Sequence, residues 1–217
     1  MVDRGHLQSH GELTNKVTQQ YKTPANLSAR NDFHSRFSTS KDNWNHWLFD
    51  QLELSTNEIA LDIGCGPSWL WQGNVDRVLP GVNLILTDLS QGMVAEARRN
   101  LSGAGFIPII SVADAGDIPL DSGSSDLVVA NHMLYHLPQI DMALREIRRV
   151  LKQDGRLVAN TIVRSHLGEL RALVNEFDRN FDASSGMPSY SVWKRGSISC
   201  KVSSSRSEHI DTWTSSW

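Results

Sequence analysis

Two spacings of apolar residues organise this chain. Trp44, Trp47, Leu48 and Leu52 recur every three to four positions. That spacing predicts a helix over 41–54 with Ser40 or Asp42 as its N-cap, and the stripe reads as core packing rather than a ligand box. Short unbroken apolar runs then predict strands at 58–63, 83–87, 106–112, 126–130 and 156–163. Such runs suit a parallel sheet covered on both faces. Pro108 weakens the start of the third strand.

Helical spacing fills the gaps between the strands. A short helix is expected over 69–79, ended by Pro80 and Gly81. Ser90 can cap the next, whose apolar side is Met93, Val94, Ala97 and Leu101, with Gly103 and Gly105 closing it. The most regular helix is expected over 138–152, with Pro138 in its first turn and Ile140, Leu144, Ile147 and Leu151 as its core stripe. A last helix is expected over 166–177. The alternation of strand and helix predicts an α/β fold with a doubly wound, mostly parallel sheet. After about residue 181 the chain turns serine-rich and offers no good strand pair, with 189–193 and 198–202 the best short runs. The organisation read from this is an N-terminal arm and lid segment over 1–40, the main domain over 41–183, and a weakly structured tail over 184–217.

Bulk composition narrows the function. The 217 residues carry a formal net charge of −3, which gives no field to attract nucleic acid. No apolar run reaches the roughly 18 residues of a membrane span, and the polar N-terminus has no apolar leader. Two cysteines, Cys65 and Cys200, make no disulfide framework, so a cytoplasmic protein is expected.

The chemistry concentrates in three places. The first strand runs into Asp62-Ile63-Gly64-Cys65-Gly66-Pro67-Ser68, and the second ends at Asp88, 24 residues after Gly64. Glycines there admit a ligand to the backbone, and an acid at that distance suits a ribose hydroxyl. No third glycine follows until Gly73, unlike the G-x-G-x-x-G of dinucleotide sites. The second place is Ala113-Asp114-Ala115-Gly116-Asp117. The third is Asn131-His132-Met133-Leu134-Tyr135-His136, after the fourth strand.

These stretches together resemble the S-adenosylmethionine-dependent methyltransferases of the Rossmann-like class, in particular the group of small-molecule enzymes like the ubiquinone methyltransferases. The resemblance runs from about residue 21 to 181. It implies S-adenosyl-L-methionine as cofactor and a small-molecule methyl acceptor. It implies cofactor contacts from Asp62, Gly64, Cys65 and Gly66, from Asp88, Leu89 and Met93, from Asp114 toward the adenine amine with the Ala115 N–H toward the ring, and from Asn131 and His132. Tyr21 and Arg30 would belong to a lid over the cofactor, with Arg30 toward its carboxylate. Pro67-Ser68-Trp69 departs from the usual third small residue.

His132 and His136 read as candidate catalytic residues, a base or substrate orienters, against packed histidines as the bland alternative. Their four-residue spacing lacks the further ligands of a zinc site, so no metal is expected. Asp114 reads alternatively as a turn residue, and Cys65 as a small filler. Two other functions stand beside methyl transfer: a catalytically defective S-adenosylmethionine-binding protein with an altered C-terminus, and an NAD(P)-binding oxidoreductase. A missing terminal strand pair would leave a sheet edge open to a homodimer.

Overall fold

The computed structural model describes residues 25–38, 43–160, 176, 197–201 and 209–213. Its centre is a five-stranded parallel sheet. The strands are β1 (Ile59–Ile63), β2 (Asn83–Asp88), β3 (Ile109–Val112), β4 (Ser125–Ala130) and β5 (Leu151–Ala159), in the order β3-β2-β1-β4-β5. Chain order reverses beside β1, which pairs with β2 on one side and β4 on the other. The crevice beyond the carboxyl ends of β1 and β4 is where ligands bind in such sheets.

Alternation along the strands separates two cores. Ala60, Leu84, Leu86, Leu127, Val129 and Val158 pack on one face, under α2 (Trp44–Leu52) and α3 (Trp69–Gln72). Leu61, Ile63, Val128, Ala130 and Leu157 pack on the other, under α5 (Ile140–Val150). This is why Leu127–Ala130 of β4 is unbroken apolar sequence: those four residues are buried on both faces of the sheet. The remaining helices are α1 (Ala25–Phe37) and α4 (Gln91–Asn100).

Several boundaries move for physical reasons. Asn43, not Ser40 or Asp42, caps α2, its side chain accepting the N–H groups of Asn45 and His46. The short helix stops at Gln72, and a 3-10 turn at Val75–Arg77 completes the stretch expected to be helical. The stripe of α5 is rotated from the expected one. Ala143, Ile147 and Val150 are buried, while Leu144 is 40% exposed. The stripe therefore runs through a small residue at position 143, which an apolar count passes over. β3 begins at Ile109, three residues later than expected, past Pro108.

β5 starts at Leu151, but its regular pairing with β4 begins at Arg156, after a register irregularity containing Gly155. A Cβ on Gly155 would sit 3.0 Å from the Ser125 carbonyl oxygen. Residues 161–163 of the expected fifth strand, the helix over 166–177 apart from Glu176, and Tyr21 lie outside the described residues.

The absence of a C-terminal strand pair is corrected. β6 (Ser197–Lys201) and β7 (His209–Trp213) form an antiparallel two-stranded sheet, with Ser199 opposite Asp211. β6 lies near β5, but β6 and β7 form a sheet of their own. β6 nearly coincides with the short run 198–202, in which Ile198 and Cys200 alternate with Ser199 and Lys201.

Candidate functional site

The site is built where β1 ends. Gly64 and Gly66 both take left-handed backbone angles, φ +64° and +54°. The Cys65 N–H donates to the Thr87 carbonyl at 2.9 Å, extending the β1–β2 ladder by one rung. The Gly66 N–H then donates to Oδ2 of Asp88 at 2.9 Å, and the Ser90 N–H donates to its Oδ1 at 2.8 Å. Asp88 thus ties the glycine turn to the N-terminal turn of α4. Burial raises its carboxyl above the usual range, opposed by those two backbone N–H groups. Each carboxylate oxygen keeps a second acceptor position.

The two glycines face different things. A Cβ on Gly64 would lie 2.8 Å from Cβ and 2.9 Å from Cγ of Met133. Among the described residues a Cβ on Gly66 would meet only Leu27 of α1, at 3.8 Å. Gly64 is therefore demanded by the approach of the β4 loop. Among the described residues Gly66 has α1 alongside and nothing closer.

Asp62 lies beneath the turn, 1% exposed. It falls on the face of β1 that carries the Trp71 cluster, and the Trp71 indole Nε1–H donates to its Oδ2 at 2.7 Å. Its Oδ1 is buried with no hydrogen-bond partner. Burial, partly offset by Trp71 and reinforced by the Asp88 charge, pushes its carboxyl up to about 7. Burial also pushes the Cys65 thiol well above its usual range, which fits a filler and not a nucleophile.

The fourth strand opens onto Asn131 and His132. His132 is left-handed, φ +54°, and its N–H donates to Oδ1 of Asn160 at 2.7 Å. Its ring lies 5.3 Å from that of Trp44 and 6.4 Å from that of Tyr135. His136 ends a 3-10 turn, Leu134–His136, its ring 4.4 Å from Tyr135. Trp44, Asn131, His132, Tyr135 and His136 are half-buried, and Asn160 is buried.

The other expected residues are spread around this centre. Leu89 is 51% exposed just beyond Asp88, whereas Met93 is packed inside with 1% exposure. Asp114 is exposed, and its Oδ1 accepts the Gly116 N–H at 2.8 Å. Asp114 thus closes a turn of its own, while Ala115 is buried in the α5 core. Arg30 lies on α1, three residues from Leu27. No group of three His, Cys, Asp or Glu among the described residues is arranged to hold a metal.

Sequence reasoning missed Asn160 and Trp71. Asn160 ends an apolar strand, which is the available signal. Trp71 reads as one more apolar helix residue, and only the alternation of β1 places it over Asp62.

Residues 61–159 match the family described as a methyltransferase domain. A demethylmenaquinone methyltransferase of Lactobacillus johnsonii is 31% identical over 120 residues, 54% of this chain and 49% of that protein. A malonyl-[acyl-carrier protein] O-methyltransferase of Geobacter sulfurreducens is 40% identical over 95 residues, 44% of this chain and 35% of that protein. This chain therefore spans about half the length, or less, of these relatives. The solved structure of a [4+2]-cyclase, SpnF, superposes with a TM-score of 0.57 at 22% identity, over 68% of this chain and 60% of that one, which is a likeness of fold. The match over 61–159 and the glycine-and-acid turn coincide, so this stretch of the chain is similar to the methyltransferase-domain family where the turn is built.

Proposed function

We propose that this chain transfers a methyl group from S-adenosyl-L-methionine to a small-molecule acceptor. One observation carries the reading: Asp88, at the carboxyl end of β2, holds the Gly66 N–H beside the topological switch point and keeps acceptor capacity on both oxygens. The residues fit the cofactor in two further respects. Among the described residues only Leu27 comes near a Cβ on Gly66, and Asp62 Oδ1 is a buried acceptor that a cofactor ammonium would satisfy.

The cofactor supplies the methyl group on a sulfonium; the protein supplies orientation and exclusion of water. In this reading Asp88 accepts the ribose hydroxyls, with Leu89, Asp114 and Ala115 toward the adenine. Gly64, Cys65 and Gly66 present backbone to the methionine portion, and α1 covers it, with Arg30 and Tyr21 as candidate partners of its carboxylate. Asn131 and His132 border both cofactor and acceptor. His132 or His136 orients the acceptor or takes its proton. We also place the protein in the cytoplasm, as its cysteine usage suggests. No helix among the described residues is long and apolar enough to cross a membrane.

Calorimetric titration with S-adenosylmethionine, S-adenosylhomocysteine and NAD tests the proposal. Saturable binding of the first two without NAD is the expected result. Binding of NAD alone would replace methyl transfer with the oxidoreductase reading.

A further inference from the structure

Beyond the last rung of β4 and β5 the two strands are joined by side chains. Ala130 pairs with Ala159 in register, so Asn131 and Asn160 stand opposite each other one step past the sheet. The Asn160 N–H donates to the Ala130 carbonyl at 3.3 Å, Asn160 Nδ2 donates to Asn131 Oδ1, and Asn160 Oδ1 accepts the His132 N–H. Asn160 is 2% exposed, yet its side-chain amide is bonded on both its oxygen and its nitrogen.

Those bonds have a directional consequence. A non-glycine residue at positive φ is strained and persists only where its surroundings enforce it. At His132 the backbone N–H of the strained residue is itself held by Asn160. The reversal at His132 brings the next residue, Met133, against Gly64, and sets the His132 ring beside Trp44. The buried amide therefore ties the β4 loop to β5 where that loop meets the glycine turn.

We infer that Asn160 is a positioning residue of the site: it sets the loop Asn131–Met133 from which the acceptor side of the reaction is built. The inference rests on the proposed methyl transfer for its function but not for its geometry. An apolar replacement of like size, Asn160→Leu, removes both side-chain bonds. Asn160→Asp keeps an oxygen for the His132 N–H, and Asn131 can turn its amide to donate to the second oxygen.

The test reads the His132 ring protons by NMR, assigned by their loss in His132→Gln. Trp44→Leu defines the position without the ring current of the Trp44 indole. In Asn160→Leu the His132 signals should move to the Trp44→Leu position, and S-adenosylhomocysteine affinity should fall about tenfold. Asn160→Asp should keep the signals and lie within about threefold of the parent in affinity. In the unaltered protein the His132 amide should exchange slowly, a measurement that needs no variant to fold. His132 signals unmoved in Asn160→Leu, an aspartate no better than leucine, or a fast-exchanging His132 amide would each overturn the inference. If the unaltered protein binds no S-adenosylhomocysteine, methyl transfer fails as a reading, while the ring signals and amide exchange still decide the role of Asn160.

Discussion

Met133 occupies the space that a side chain on Gly64 would need. Its Cβ lies 2.8 Å from where a Cβ on Gly64 would stand, a separation that real Cβ contacts do not show. Gly66, two residues on, has no such neighbour. The two glycines of one turn are thus required for different reasons, and the difference can be measured.

Gly64→Ala should lose stability twice, through left-handed strain of about 1–2 kcal/mol and through collision with Met133. Gly66→Ala should lose only the strain. In thermal melts Gly64→Ala should therefore melt lower than Gly66→Ala. Adding Met133→Ala should recover part of the loss at Gly64 and none at Gly66. Equal melting temperatures for the two single variants would contradict the geometry.

Asp88→Ala should bind S-adenosylhomocysteine about ten- to a hundredfold more weakly, the loss of roughly 1.5–3 kcal/mol expected of a charged hydrogen-bond acceptor. Asp88 also holds the Gly66 and Ser90 N–H groups, so stability should fall with affinity. Asp88→Asn separates the two effects. It can still accept one backbone bond and should melt above Asp88→Ala. Parent-like affinity in a folded Asp88→Ala protein would remove Asp88 from the cofactor site.

The chain made the sheet legible because burial on both faces leaves a plain mark: β1, β2 and β4 are mostly apolar, as in Leu84–Leu86 and Leu127–Ala130. The glycine turn and Asp88 were legible because their residue types and separation are set by backbone geometry near a ligand. Contacts between distant elements were not. Nothing near Met133 in sequence points to Gly64, and nothing near Trp71 points to Asp62. The α5 stripe misled because Leu144 is apolar but points to solvent, while Ala143 is small but buried. β7 was missed because His209–Trp213 is short and mostly polar, and only its pairing with β6 marks it as a strand.

Hydrogen exchange checks the strand pair directly. Amides on alternate residues of Ser197–Lys201 and His209–Trp213 should be protected relative to short peptides of the same sequence. Uniformly fast exchange across both segments would return this region to an unpaired tail.

Asp62 should give stability a pH dependence opposite to that of an ordinary ion-paired carboxylate. Its carboxyl rises from 3.8 to about 7 through burial, partly opposed by the Trp71 hydrogen bond. Between those values the native protein holds a proton that the unfolded chain has released. The contribution is complete below about pH 4, shrinks as pH rises, and is gone above about pH 7. Its slope is at most about 1.4 kcal/mol per pH unit. Asp62→Asn keeps an oxygen for the Trp71 indole and has no proton to lose. Its stability should be flatter across this window than the parent's and should exceed it at pH 8. Urea midpoints at pH 4.5, 6 and 8 for both proteins decide the matter, since parallel pH curves would mean that Asp62 ionises as readily folded as unfolded.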